Sequence, residues 1–260
     1  MKLIKIGQVF STIRNGASIK QDKEVDGIPI TRIETIADGL IDFERLGYDS
    51  IKGDDYKDFY LKDGDILMSH INSVSHLGKV AIFENRSEKI IHGMNLLCLK
   101  ANPKEIFPKY AFYYLKSKQF RSSIKRITKK SVNQASFNIY DLKEVKIPIP
   151  ENLSDQVNIA RILTKAENLI AKRKESIRLL DEFLKSTFLE MFGDPIRNDK
   201  KWDIKKLHEL SKVGTGGTPS RKKKDVYYGG NLFWAKTTEV QGKYILSTKE
   251  KITSIALKES

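Results

Sequence analysis

The most regular pattern in the chain is a series of apolar residues spaced seven positions apart, which is typical of a coiled-coil helix. These seam residues are Leu163, Ile170, Ile177, Leu184 and Met191. The segment around them contains no Gly or Pro and lies between Pro150 and Gly193. Because glycine favours the backbone conformation that ends a helix, the pattern predicts one helix within residues 151–193, roughly 58 Å long.

A second apolar series runs beside the seam and is interrupted by Arg173 near its middle. A helix of this length is too long to bury its seam against one small domain, so the pattern also predicts a partner helix. The alternative, a core helix of a compact domain, is disfavoured by the length and the strict spacing.

Residues 1–150 show the shorter runs of a mixed α/β domain. Three apolar runs bounded by turn residues predict strands, at 64–69, 79–83 and 96–100. Pro108 begins a segment whose apolar residues recur at helical spacing, which predicts a helix. Cys98, the single cysteine, lies in the third run, so we expect a buried thiol and no disulfide within the chain.

The regions on either side of the long helix share a signature. The first reads KIGQV at 5–9 and GIPITR at 27–32, and the second reads KLHEL at 206–210 and NLFWAK at 231–236. Matched positions lie about 201 to 204 residues apart, far beyond the period of roughly 20–50 residues seen in solenoid repeats. The pattern predicts a duplicated domain, with a first copy at 1–150 and a partial second copy at 194–260.

Charge is concentrated in the two copies. The 260-residue chain has a net charge of +14. Residues 1–150 hold 25 Lys+Arg against 18 Asp+Glu, residues 194–260 hold 15 against 8, and residues 151–193 hold 7 of each. Two basic regions beside a neutral helix favour a nucleic-acid partner, although a basic surface also aids solubility. No apolar stretch approaches the roughly 18 residues of a membrane span, and the cysteine usage fits a reducing cytoplasm.

Three segments of the first copy carry candidate DNA contacts. Short polar side chains in the loop 69–79 can read base edges, and amides in 131–138 can pair with adenine. Segment 116–130 holds seven Lys+Arg and no Asp+Glu, which favours a phosphate partner. The candidate residues are Arg32, Asn72, Ser73, His76, Lys79, Lys125, Arg126, Lys129, Lys130, Asn133, Gln134 and Asn138. An ordinary polar turn, a solvated charged face and amides that cap a turn remain the alternatives.

Patterns of catalytic residues are missing from the sequence. Gly78-Lys79 lacks the upstream glycine of a phosphate-binding loop, and the four histidines lack the spacing of metal ligands. Asp55 and Lys57 have a nuclease-like spacing, but such triplets arise by chance in a chain rich in Lys and Asp. The sequence predicts a binding protein without a catalytic residue, a metal or a cofactor.

Several motifs together resemble the specificity subunit of type I restriction–modification enzymes. The matching pieces are GDIL at 64–67, GKV at 78–80, NQ at 133–134, IPIP at 147–150, DQ at 155–156, GGTPS at 216–220 and WAKT at 234–237. The family usually shows Pro-Pro-Leu and Glu-Gln where this chain has ENL at 151–153 and DQ at 155–156.

The resemblance implies the α/β class: a mixed α/β target-recognition domain, a long coiled-coil helix and the start of a second, incomplete recognition domain. It implies a noncatalytic reader of one half of a split site in double-stranded DNA. Methyltransferase (M) subunits would dock on the helix, and restriction (R) subunits would join through the complex. A stand-alone DNA-binding regulator and a magnesium-dependent nuclease using Asp55 and Lys57 are the alternative functions.

Members of that family normally have two complete recognition domains and two long helices. The chain therefore resembles a truncated or half-length member. We hypothesise that it forms an antiparallel homodimer through the seam, which would restore two readers with twofold symmetry. One turn of duplex DNA spans about 34–36 Å, so the predicted helix is long enough to set two readers more than one turn apart.

Overall fold

The structure is a computed structural model that describes residues 1–19, 27–37, 39–49, 55–84, 88–131, 134–240 and 244–259. The chain divides into two compact units, Met1–Phe183 and Leu184–Ser260. This division falls inside the long helix, whereas the sequence places the helix between the two copies. The bounds of the domains at 1–150, 151–193 and 194–260 stay a prediction.

The strands are β1 (Lys2–Lys5), β2 (Phe10–Asn15), β3 (Ile28–Ile30), β4 (Ile36–Ala37), β5 (Leu40–Ile41), β6 (Gly47–Asp49), β7 (Ile66–Ser69), β8 (Ile71–Asn72), β9 (Val80–Ile82), β10 (Leu96–Ala101), β11 (Lys129–Lys130), β12 (Ala135–Ser136), β13 (Lys146–Ile149), β14 (Tyr228–Phe233) and β15 (Lys251–Ile252). The helices are α1 (Ile6–Val9), α2 (Pro108–Lys116), α3 (Lys118–Ile127), α4 (Ile139–Glu144), α5 (Leu153–Phe192), α6 (Leu207–Leu210), α7 (Lys224–Tyr227) and α8 (Ser254–Glu259). These elements confirm the mixed α/β fold with one long helix.

The core of the first unit is built on an antiparallel sheet of four strands in the order β2-β10-β7-β9. Alternate residues of a strand point to opposite faces, and both faces of this sheet are covered. Leu97 and Leu99 of β10 lie in the cluster formed with α2 and α3. Leu96 and Cys98 lie in a second cluster, with residues of β4 and β5. This double coverage explains why the three predicted strands are continuous apolar runs rather than alternating ones.

The start of α5 is fixed to the first unit by the buried side chain of Gln156. Its Oε1 accepts a hydrogen bond from the backbone N–H of Phe107 at 2.9 Å, and its Nε2 donates to the carbonyl of Glu105 at 3.2 Å. Ala160, one turn later, is also buried in this core. The first turns of the helix are therefore anchored in the core of this unit.

The end of α5 lies at Gly193, whose φ of +77° is the left-handed conformation that glycine favours. The Nζ of Lys200 donates to the carbonyl of Met191 at 3.2 Å, and the indole N–H of Trp202 donates to the carbonyl of Phe192 at 2.7 Å. Carbonyl groups that a helix end leaves free thus have donors. The structure confirms the helix that the sequence predicts.

The two copies of the signature adopt the same local structure. Each begins with a four-residue helix, α1 in the first copy and α6 in the second. Further along, the N–H of Arg32 donates to Oγ1 of Thr35 at 2.7 Å, and the N–H of Lys236 donates to Oε2 of Glu239 at 3.1 Å. Both bonds cap a short 3-10 turn, and the domain duplication stays a prediction.

None of the helices in the described part of the chain combines the length and the apolar character that crossing a bilayer requires. Among the described residues, no three His, Cys, Asp or Glu side chains cluster in a way that could hold a metal ion.

Candidate nucleic-acid interface

A tight turn at residues 73–78 projects between β8 and β9. The N–H of His76 donates to the carbonyl of Ser73, and the N–H of Gly78 donates to the carbonyl of Ser69, both at 2.9 Å. Within the turn, Oδ1 of Asn72 accepts from the N–H of Ser73 at 2.7 Å. These bonds hold the polar side chains of the turn on a defined backbone.

Two segments that the sequence indicates separately meet in one small sheet. Its three strands lie in the order β11-β12-β8, with Asn72 opposite Ala135 and Lys130 opposite the same Ala135. The 69–79 loop and the 129–138 segment therefore form one continuous surface. Gln134 is exposed beside it, whereas Asn133 lies outside the described residues.

A cavity of about 650 Å³ separates the 73–78 turn from α3, and we call it the basic cleft. The polar and charged residues that line it are Ser75, Lys118, Arg121, Ser122, Lys125, Thr128 and Lys130. No Asp or Glu is among its described lining residues, and its four cations form no ion pair within the described chain. The cleft is therefore a site of concentrated positive charge that suits phosphate oxygens.

A second cavity, of about 350 Å³, lies on the other side of the turn, and we call it the mixed groove. Its lining residues are Ile33, Glu34, Ile36, Arg45, Asn72, His76 and Lys79. Unlike the basic cleft, it contains a carboxylate beside hydrogen-bond donors. Arg32 does not line this groove, and its Nε pairs with Oε1 of Glu34 at 3.0 Å.

Three further candidates have side chains in other positions. Asn138 caps α4, because its Oδ1 accepts from the N–H of Asp141 at 2.7 Å and its Nδ2 donates to the Asp141 carboxylate at 2.9 Å. Lys129 lines a third cavity with Asn138. Arg126 is exposed on α3 but does not line the basic cleft.

For three cations of the segment 116–130, the structure differs from what the sequence predicts. Lys116, counted with the cationic segment, pairs with Oε1 of Glu167 on α5 at 2.7 Å. Lys118 and Arg121 were not singled out, although they line the basic cleft with Lys125. Their spacing of three and four residues places them on one helix face, so this signal was available in the sequence.

The interior below the turn holds titratable groups that burial keeps neutral. Burial lowers the pKa of His92 to about 4, and its Nε2 contacts the carbonyl of Leu96 at 2.8 Å. Burial likewise lowers the pKa of His70 and raises the pKa of the Cys98 thiol to about 12. These groups are therefore mainly uncharged near pH 7.

Comparison with known proteins places this chain in a family. Residues 1–179 match the model of the type I restriction modification DNA specificity domain. The chain is 41% identical to the MjaX type I restriction enzyme specificity subunit of Methanocaldococcus jannaschii over 79% of its length and 48% of the relative. It is 22% identical to the EcoKI specificity subunit of Escherichia coli, over 65% of the chain and 36% of the relative.

The fold is similar to that of a solved type I restriction–modification S subunit from M. genitalium. The TM-score is 0.51 at 16% identity, over 97% of this chain and 62% of that one. The chain spans about half the length of the curated relatives it matches. On the match to residues 1–179 and the 41% identity, this chain belongs to the family of type I restriction modification DNA specificity domains.

Proposed function

We propose that this chain acts in the cytoplasm as the noncatalytic specificity subunit of a type I restriction–modification enzyme. It binds double-stranded DNA and reads one half of a bipartite site. The observation that carries this proposal is the basic cleft, where Lys118, Arg121, Lys125 and Lys130 face one cavity without a described acidic partner. Four unpaired cations repel one another, and a phosphate backbone removes that repulsion.

The 73–78 turn lies between the basic cleft and the mixed groove, since its residues line both cavities. A double helix presents phosphates beside every groove and base edges inside it. In this proposal the turn follows a groove while the cleft binds the adjacent backbone. The positions of the two cavities therefore support a division of roles, in which the cleft positions the DNA and the turn side reads it.

The long helix supplies the surface for protein partners. Ile170 and Ile177 are 56% and 55% exposed, and Leu184 and Met191 are exposed as well. Burying one such side chain stabilises a complex by about 1.5–3 kcal/mol, so an uncovered seam favours association. In this proposal the helix docks methyltransferase subunits, and through them restriction subunits, and pairs in antiparallel orientation with a second copy of the chain.

The test uses the full chain and a pool of duplexes with a randomised central segment. Bound duplexes are recovered, amplified and sequenced over several cycles, and the expected result is one enriched motif. In parallel, a type I methyltransferase subunit from the same genome is expressed with the chain and is expected to copurify. Recovery of duplexes without any common motif, at every salt concentration tested, would contradict the DNA-reading role.

A further inference from the structure

The mixed groove contains one residue that the sequence did not indicate and whose setting is specific. Arg45 lines this groove together with Asn72, His76 and Lys79, and its side chain is 59% exposed. Its Nε lies 2.9 Å from Oδ2 of Asp42. No hydrogen bond joins its terminal nitrogens to a described residue, so the outer fork of the guanidinium stays available as a donor.

The backbone of Arg45 is fixed by a buried polar residue. Oγ1 of Thr35 donates to the carbonyl of Arg45 at 3.4 Å, and the carbonyl of Thr35 accepts from the N–H of Asp42 at 2.8 Å. Thr35 is fully buried. Ile41 and Leu46, on either side of the 3-10 turn Phe43–Arg45 that contains the arginine, lie in the core. The arginine therefore stands on a rigid base.

The carboxylate partner is fixed as well. Oδ1 of Asp42 accepts from the N–H of Glu44 at 3.1 Å, which leaves Oδ2 directed at the arginine. A carboxylate that holds the Nε edge of a guanidinium restricts its rotation and leaves two parallel donors on the far side. This geometry matches the two acceptors, O6 and N7, that guanine presents in the major groove.

The surroundings of Arg45 favour a base over a phosphate. Glu34, which pairs with Arg32, lines the same groove, and its carboxylate can accept hydrogen bonds from amino groups of bases. The basic cleft on the opposite side of the turn contains cations and hydroxyl groups without a carboxylate. Phosphate contacts therefore belong to the cleft, and base contacts belong to the groove.

From this arrangement we infer that Arg45, held by Asp42, is a specificity-determining residue that reads one guanine of the target site. The inference rests on the proposed DNA-reading function and assigns the base class to one side chain. A bidentate arginine–guanine contact discriminates against other bases by about 5- to 150-fold.

The experiment first takes the motif that the wild-type chain enriches. Each guanine of that motif is then replaced singly by 7-deazaguanine, which lacks the N7 acceptor. For the wild type, one position is expected to lose affinity by about fivefold or more. In Arg45→Met, which removes every donor of the side chain, this position is expected to respond no longer. Asp42→Asn is expected to weaken the response at the same position.

A matched control exists in the second unit. Arg197 pairs through Nε with Oδ2 of Asp194, three residues away, as Arg45 does with Asp42. Arg197→Met is expected to keep the full response to 7-deazaguanine. If Arg45 instead contacted a phosphate, Arg45→Gln would weaken binding to all DNA sequences equally. It would also reduce the slope of log affinity against log salt by about 0.9.

The outcomes separate the two levels of the proposal. An enriched motif in which no guanine responds, or in which Arg45→Met responds as the wild type does, overturns the role of Arg45 and leaves the DNA-reading function intact. A uniform loss of affinity with a changed salt slope reassigns Arg45 to the phosphate backbone and also overturns it. Failure to enrich any motif contradicts the proposed function, and this inference fails with it.

Discussion

Gly78 lies directly against Ile124, so that a Cβ placed on the glycine would be 3.3 Å from Cγ1 of Ile124. This contact joins the 73–78 turn to α3, the helix that carries three cations of the basic cleft. The φ of Gly78 is +69°, in the left-handed region that other residues adopt at a cost. Gly78 thus connects the 73–78 turn to the helix that lines the basic cleft.

We expect Gly78→Ala to lower the free energy of unfolding by about 1–2 kcal/mol, because the new methyl group adds backbone strain and crowds Ile124. DNA affinity should fall as well, since the turn must move away from α3. Urea unfolding and anisotropy titration measure the two effects. Gly229→Ala separates the causes: its φ is +81°, but apart from its two chain neighbours no described residue has an atom within 4 Å of the added carbon. An unchanged stability in Gly78→Ala would contradict this interpretation.

The basic cleft predicts a salt dependence that individual cations control. Lys125→Gln should reduce the slope of log affinity against log salt by about 0.9, equally for all DNA sequences, because one phosphate contact is lost. Lys116→Gln is the matched control, since Lys116 already pairs with Glu167. Equal slopes for wild type and Lys125→Gln, over about 50 to 200 mM salt, would remove Lys125 from the phosphate contacts.

The seam of α5 predicts self-association. Sedimentation equilibrium of the wild type should show a concentration-dependent dimer, and Ile170→Asp or Ile177→Asp should weaken it by about a hundredfold or more, because each chain loses one buried apolar side chain. Lys165→Asp introduces the same carboxylate on the same helix outside the seven-residue series. A monomer at every concentration, or seam variants that behave as the wild type does, would contradict the homodimer.

His92 predicts a loss of stability in mild acid. Its folded pKa of about 4 lies below the ordinary value of 6.5 because burial disfavours the charged ring. Between these two pH values the unfolded state therefore binds more protons than the folded state. The contribution of His92 to the free energy of unfolding is complete above about pH 6.5 and is lost as the pH falls towards 4. The full effect is about 3 kcal/mol.

Urea unfolding at several pH values measures this effect, and His92→Asn should flatten the dependence in that window. The comparison with the variant isolates His92 from Asp65, whose pKa burial raises and which therefore acts in the opposite direction. A wild type and a His92→Asn variant with parallel stability curves would show that His92 does not titrate in this way.

The sequence predicts those parts of the fold that depend on neighbours along the chain. The long helix follows from a seven-residue repeat that ends at Gly193, and the strands of the central sheet follow from continuous apolar runs. In the sheet the local pattern and the burial agree, because the residues that favour the strands also cover the core, whereas most seam residues of the helix are exposed. The shared helix face of Lys118, Arg121 and Lys125 can likewise be predicted from the sequence, because these residues are three and four positions apart.

Contacts between distant segments cannot be predicted from the sequence in the same way. Nothing in the sequence pairs Asn72 with Ala135, because strands of two residues leave almost no periodic signal and their register depends on the surrounding core. Asn138 was predicted to contact DNA, and its side chain caps α4; the sequence fits both roles. Arg45 depends on a groove that only the folded chain creates. The DNA contacts of the candidate residues remain predictions.

The exposed part of the 73–78 turn is attached to the core through short strands and one glycine contact, and the side chains at positions 73–76 are all exposed. Substitutions there change the chemistry offered to a partner at little thermodynamic cost to the remainder of the domain. Such a module can be exchanged by grafting, with Ile66, Met68 and Val80 kept as its anchor. Under the proposed DNA-reading role of the turn, new sequence preferences can arise in this scaffold without a new protein fold.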